Sequence, residues 1–292
     1  MVTFAFRIIL LVAFVANTSV AEDPKRIEVE LLADLPYRTR GELSEYERER
    51  CKLDVYLPKE KKDFATLIWF HGGGLKNGDK SPKKSGDSVD AALFGTSFAE
   101  IGIAVVVPNY RLSPKATFPA YIQDAAAAVM WVKQQMPRHG GDSKRVFVGG
   151  HSAGGYLALM LAMDPHYLTD IGAAANDIAG VLSVSGQTMT HYTVREERGI
   201  GKHTITADEA APVYFARADT PPILALYADG DLPARAEENA YFVALMKDAK
   251  NKRIIGQKIQ DRNHSTIASE IKNANDPTRK AMLEFMLNSA PK

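Results

Sequence analysis

Hydrophobic and polar positions along this chain fall into two kinds of pattern. Residues 26–37 (RIEVELLADLPY) and 51–58 (CKLDVYLP) alternate apolar with polar side chains, as strands with one face in water do. Residues 66–70 (TLIWF) and 102–110 (GIAVVVPNY) are continuous apolar runs, which suit strands covered on both faces. Further apolar runs stand at 178–186, 221–230 and 254–261. Helical patterns lie between and after them, at 97–101, 121–136, 155–163, 236–249 and 278–289. Strands alternating with helices give an α/β class, a mostly parallel central sheet with helices on both faces. Two longer irregular stretches, 76–95 and roughly 187–219, interrupt the alternation. The second falls between two expected strands late in the sheet, where a short lid-like or substrate-binding insertion would sit.

One junction carries chemistry. In VFVGGHSAGGYLALML, residues 146–161, a strand-like run meets a glycine turn and becomes a helical Ala/Leu segment, which sets Ser152 on a sharp strand-to-helix turn. Gly150, Ala153 and Gly154 are small enough for the backbone to pass close to itself there. GHSAG fits the Gly-x-Ser-x-Gly nucleophile elbow. Three fixed positions recur by chance in roughly one chain in ten, so a base, an acid and oxyanion donors must be sought elsewhere.

HGGG, residues 71–74, closes the run 66–70. Consecutive glycines at a strand end cost conformational entropy, and they make sense where backbone N–H groups must turn toward a ligand atom. Acyl transfer needs such donors because charge develops on the carbonyl oxygen, each donor contributing about 2.7–4 kcal/mol. The N–H groups of Gly73, Gly74 and Ala153 are the candidates. His71 is read as a structural residue holding the glycine loop.

Composition is that of an ordinary globular domain, with 292 residues, 46% hydrophobic and 24% charged. Residues 1–21 combine Arg7, an apolar stretch from Ile8 to Ala16, and Ser19 and Ala21 at small-x-small spacing, which reads as a secretory signal peptide. Residues 22–292 are then expected to form a single domain, secreted or periplasmic. Removing the leader would leave 35 basic against 35 acidic side chains, with no basic footprint for nucleic acid or an anionic membrane. Cys51 is the one cysteine, so an intramolecular disulfide is excluded and no cysteine-based metal site is expected; it reads as a small core residue.

HGGG, then NYRLSPKATFPAYIQDAAAAVMWV, then GHSAGG resemble the α/β-hydrolase superfamily, and within it carboxylesterases similar to hormone-sensitive lipase and to BD-FAE-like esterases. The resemblance implies an α/β-hydrolase fold, a serine ester hydrolase working through an acyl-enzyme, and no metal or cofactor. It implies that Tyr110, Arg111, Pro119 and Asp124 brace the sheet and the glycine loop. Relatives often carry Trp or Phe after HGGG; here Leu75 stands there, with Gly78, Asp79 and Lys80 kept, so Leu75 and His151 are the expected substrate-binding residues.

The order in such relatives is Ser, acid, His. Residues 223–239 offer Asp229, Asp231, Glu237 and Glu238, the glutamates falling in the first turn of an expected helix. Tyr227-Ala228-Asp229-Gly230-Asp231 resembles the Tyr-Gly-x-x-Asp of relatives that use the last residue. That implies Asp231 as the acid and Asp229 as a turn residue, with Asp229 left as the alternative. His264, in DRNHSTI, is the base by elimination, since His139, His166, His191 and His203 read as surface residues in helix ends or polar loops. Asn263-His264-Ser265 is also a glycosylation sequon, so that asparagine is either buried or unmodified, as in most bacteria. The expected partner is a small-molecule or carbohydrate ester, with short acyl chains favoured. The alternatives are a carbohydrate acetyl or feruloyl esterase, an arylformamidase-like amide hydrolase, and a non-catalytic binding scaffold.

Overall fold

The computed structural model describes residues 26–39, 41–81, 89–201 and 203–289. The expected leader, residues 1–21, lies outside the described residues.

One sheet contains β1 (Val29–Pro36), β2 (Lys52–Pro58), β3 (Phe64–Phe70), β4 (Ala104–Pro108), β5 (Gly141–His151), β6 (Gly180–Val184), β7 (Ile223–Gly230) and β8 (Ile254–Asn263). The order across it is β1-β2-β4-β3-β5-β6-β7-β8. β2 is antiparallel to both β1 and β4, and every other neighbouring pair is parallel. The helices are α1 (Glu45–Arg50), α2 (Ala91–Ala99), α3 (Ala120–Gln135), α4 (Ala153–Met163), α5 (His166–Thr169), α6 (Tyr192–Glu197), α7 (Arg235–Asp248), α8 (Thr266–Ser269) and α9 (Pro277–Ser289).

The pleat sends successive side chains to opposite faces, and each face has its own core. Phe64, Ile68, Phe70, Ala104 and Val106 join α3, α4 and α7 in one core. Ala65, Leu67, Trp69, Val105 and Val107 join α2, α8 and α9 in the other. The continuous apolar runs are thus strands covered on both sides. All eleven residues of α4 are buried, as an uncharged Ala/Leu/Met helix requires.

The alternation in residues 51–58 does not mark a half-exposed strand. β2 is buried from Leu53 to Pro58, because α2 lays Gly95 against the Tyr56 ring while Leu53, Val55 and Leu57 enter the opposite core. Its polar residue Asp54 is buried too, with Oδ1 accepting from Lys80 Nζ at 2.7 Å and from the Asp34 N–H at 2.8 Å. β1, at the sheet edge, is more exposed than its alternation implies: Val29, Leu32 and Leu35 are half-buried and its other residues are exposed.

The 187–219 insertion carries α6 and a 3₁₀ turn at Pro212–Phe215, and it is pinned to the body. Tyr156 Oη donates to Ala210 O (2.9 Å), the Phe118 N–H donates to the Glu197 carboxylate (2.9 Å), and Thr193 Oγ1 donates to Gly74 O (2.5 Å). Among the described residues no helix is long and apolar enough to cross a membrane.

Candidate active site

The carboxyl ends of β3, β5, β7 and β8 point the same way along the parallel part of the sheet, and the loops beyond them supply the site. Ser152 follows β5 with φ +54°, a backbone region that a non-glycine residue holds only under constraint. Its N–H donates to Val184 O at 2.9 Å. A side chain at Gly154 would collide with the Phe70 carbonyl, so only glycine lets α4 start this close to β3.

Three side chains from three loops form a hydrogen-bonded line. His264 Nε2 lies 3.0 Å from Ser152 Oγ, and His264 Nδ1 lies 2.6 Å from Asp231 Oδ1. With Nδ1–H donating to the carboxylate, Nε2 is left to accept the serine proton. The Asp231 side chain is fully buried and that of His264 is 17% exposed, so one edge of the imidazole stays open. Burial holds His264 below the ordinary histidine value; the hydrogen bond to Asp231 opposes this and His151 adds to it. Burial pushes Asp231 upward, but hydrogen bonds from His264 and Ser185 outweigh it and the carboxyl sits below its usual range.

Asp229 does something else. It is exposed, and its carboxylate accepts the N–H groups of Gly230, Arg262 and Asp261 at 3.0–3.1 Å, tying the carboxyl end of β7 to that of β8. Glu237 and Glu238 lie in the first turn of α7.

Gly73 and Gly74 have φ +96° and +65°, and among the described residues their N–H groups and that of Ala153 have no acceptor. The loop is braced from below. Arg50, the last residue of α1, reaches Asp79 Oδ2 (2.9 Å), Gly78 O (3.2 Å) and Tyr110 O (3.2 Å). Tyr110 Oη donates to His71 O at 2.8 Å, and the His71 ring stacks on Tyr110 with its Nδ1–H on Gly72 O, which is the structural part expected of it. Arg111 clamps the buried Asp124 through two 2.8 Å bonds.

Leu75 and His151 do not meet the expectation of substrate contact. Leu75 adopts φ +60° and sends its side chain wholly into the core beneath the loop. His151 is buried, and its Nε2–H donates to His264 O at 2.7 Å, so it ties the elbow to the loop of the base. His191 is not on the surface either. It is buried between Tyr156 and Tyr192, caps α6 by accepting the Thr193 N–H, and is held well below the ordinary histidine value by burial. Asn263 is exposed, its Oδ1 accepting the N–H groups of Ser265 and Thr266.

A cavity of about 730 Å³ opens between the insertion and the segment after Asp231, lined among others by Gln187, Tyr192, Ile205, Leu232, Glu237 and Tyr241. Ser152 does not line it. Tyr192 lines the cavity, and its phenol stands against Gly74. Sequence patterning flagged this insertion, but of its residues it named only His191 and His203, both read as surface residues. Ser185, whose hydroxyl donates to Asp231 Oδ2, was also missed, being hidden in the run VLSVSG. Among the described residues no cluster of three or more His, Cys, Asp or Glu could hold a metal, and Cys51 is buried with its thiol pushed up to about 12.

Known proteins resemble this chain in sequence and in fold. The chain is 26% identical over 250 residues to the esterase LipQ of Mycobacterium tuberculosis, covering 77% of this chain and 55% of LipQ. It is 27% identical over 207 residues to the probable carboxylic ester hydrolase LipM of the same organism, covering 65% and 46%. The chain thus spans about half the length of the curated relatives it matches. A truncated carbohydrate esterase from gut microbiota superposes with a TM-score of 0.70 at 20% identity, covering 92% of this chain and 99% of that one. An inhibited esterase B from Lactobacillus rhamnosis gives 0.70 at 18% identity, covering 91% and 89%. These likenesses show the α/β-hydrolase fold. The BD-FAE family matches residues 53–246, more than half of the chain, and the chain belongs to that family.

Proposed function

We propose that this chain is an exported serine carboxylesterase that hydrolyses short-chain acyl esters through an acyl-enzyme. The observation that carries the reading is the hydrogen-bonded line Ser152–His264–Asp231; the N–H groups of Gly73, Gly74 and Ala153, which have no acceptor among the described residues, support it. His264 Nε2 takes the proton of Ser152 Oγ as that oxygen bonds to the ester carbonyl carbon. Asp231 holds the imidazole in the required tautomer and stabilises its charged form. The N–H groups of Gly73, Gly74 and Ala153 receive the oxyanion. The intermediate collapses when the C–O bond to the alcohol breaks and His264 returns the proton to the leaving oxygen. Water repeats the sequence: it gives a proton to His264 as its oxygen bonds to the acyl carbon, and His264 passes that proton to Ser152 Oγ as the bond from Oγ to the acyl carbon breaks and the acid leaves. Because burial keeps His264 below the ordinary value, the base is neutral at neutral pH. The names of LipQ and LipM support ester hydrolysis, and residues 1–21 support export.

A sugar as the alcohol half is favoured by the cavity, whose lining includes the aromatic residues Tyr192 and Tyr241 and the polar residues Gln187 and Glu237. The gut carbohydrate esterase among the structural neighbours supports the same reading. The test is hydrolysis of p-nitrophenyl acetate, butyrate and longer homologues beside acetylated xylan, with fluorophosphonate labelling. Ser152→Ala must lose the label and at least about three orders of magnitude in rate. Undiminished hydrolysis by that variant places the nucleophile elsewhere, and efficient cleavage of long-chain triglyceride overturns the short-chain preference.

A further inference from the structure

Ser185 sits one residue past β6 at φ +49°, fully buried. Glycine adopts that backbone without cost, so retaining a serine there calls for a reason in its side chain. Three bonds hold it. Its N–H donates to Leu226 O (2.7 Å), its carbonyl accepts from Arg235 Nη1 (2.6 Å), and its Oγ–H donates to Asp231 Oδ2 (2.5 Å).

The Asp231 carboxylate is satisfied on both oxygens. Oδ1 accepts from His264 Nδ1 and from the Leu232 N–H at 2.8 Å, and Oδ2 accepts from Ser185 and from the Ala228 N–H at 3.2 Å. Without the serine, only the long Ala228 contact would fix Oδ2. Arg235 in turn stands 3.7 Å from Glu238, whose Oε1 accepts the Thr188 and Met189 N–H groups. Arg235, Glu238 and Met189 all line the cavity.

We infer that Ser185, locked in place by Arg235, is a positioning residue for Asp231, so that the wall of the cavity and the acid of the reaction share one support. The inference rests on the proposed Ser152–His264–Asp231 mechanism. The groups facing His264 are Asp231 beyond β7, Ser152 and His151 beside α4, and Arg235 from α7. Withdrawing the Ser185 hydroxyl leaves more of the carboxylate's charge to the imidazole. The imidazolium is then better stabilised, and the acid limb of activity moves to higher pH.

The experiment compares the full chain with Ser185→Ala, Ser185→Gly and Ser185→Cys across pH on p-nitrophenyl acetate. Active sites are counted with a fluorophosphonate. Ser185→Gly removes the hydroxyl while relieving φ, so it can be read even if the alanine variant fails to fold. Both Ala and Gly are expected to lower kcat about tenfold with KM within about twofold, and to raise the acid-limb midpoint by about half a unit. Cys, a weak donor of similar size, should fall between them and the unaltered enzyme. Folded Ala or Gly variants with unaltered kcat per active site and an unmoved acid limb would overturn the inference, whatever their Tm. Ser152→Ala is run beside them; if it still hydrolyses, the mechanism itself fails, and that outcome is distinct from a failure of Ser185.

Discussion

The phenol of Tyr192 occupies the space that a side chain at Gly74 would need, and Gly74 itself is held at φ +65°. The insertion and the glycine loop are therefore fitted to each other, and Thr193 Oγ1 bonded to Gly74 O secures the join. Gly74→Ala is expected to lower kcat/KM about 10²–10³-fold, the loss of one oxyanion donor, because the added methyl meets Tyr192 and the backbone conformation is strained as well. Adding Tyr192→Ala removes the collision and leaves the strain, so the double variant should recover part of the loss. Steady-state kinetics of the two single variants and the double variant decide it. Strict additivity would show that the two residues do not interact.

The acid can be tested by ranking two neighbours. Asp231 accepts from His264 at 2.6 Å, whereas Asp229, exposed, accepts backbone N–H groups at the carboxyl ends of β7 and β8. Asp231→Asn should keep the fold and lower kcat by up to about 10⁴-fold, since an amide favours the wrong tautomer, while Asp229→Asn should cost less than about tenfold. The reverse ranking at matched Tm would assign the acid to Asp229.

What could be read in the chain depended on whether the partners were local. β3 and β4 were legible because both of their faces are covered, which leaves an unbroken apolar run. Ser152, His264 and the turn at Asp229–Asp231 were legible because tight turns and chain order constrain residue type. β2 was misjudged because Asp54 is neutralised by Lys80, a partner 26 positions away that alternation cannot show. Leu75 was misplaced because nothing local says which way a residue at positive φ will point. α1 has no apolar stripe, and its one sequence signal was the capping box at Ser44 and Glu47. The burial of His191 depends on Tyr156 reaching it from α4, beyond any local pattern.

Acidification should act on activity through His264 and on stability through both His264 and His191. His264 and His191 are both held below the ordinary histidine value near 6.5, in each case chiefly by burial. A neutral His264 is required as base, so kcat/KM should rise through a midpoint below about 6.5 and be level above it. For stability, unfolded histidines take up protons near pH 6.5 while the folded pair still resists. The unfolded chain then binds more protons, so their contribution is present above about pH 6.5 and is lost as pH falls through the folded values. His191→Asn keeps a cap acceptor for the Thr193 N–H and cannot titrate. Its Tm should drop less between about pH 8 and pH 5 than that of the unaltered protein. Equal pH dependence would remove His191 from the account.

The last prediction concerns the ion pair beneath the glycine loop. Lys80 Nζ lies 2.7 Å from Asp54 Oδ1 and 2.8 Å from Asp34 Oδ1, and the side chains of Lys80 and Asp54 are 7% and 9% exposed. The Lys80 N–H donates to Asn109 Oδ1 at 2.6 Å, and Asn109 Nδ2 donates to Asp79, which Arg50 also holds; the pair is thereby joined to the brace of the HGGG turn. Burial opposes the charge on Lys80, but hydrogen bonds to Asp34 and Asp54 outweigh it and raise the ammonium above its usual value. Lys80→Met would strand the Asp54 carboxylate with only the Asp34 N–H, at a cost of about 3 kcal/mol, the low end for breaking a buried pair. In a chain of this size that is roughly 6–12 °C in Tm. Replacing both partners, Asp54→Leu with Lys80→Met, leaves no uncompensated buried charge, since Asp34 is exposed, and should be closer to the unaltered protein than Lys80→Met alone. Thermal denaturation of the three proteins at pH 7 reads this directly. A double variant no more stable than the single one would mean that the pair stabilises through its own attraction and not by neutralising Asp54.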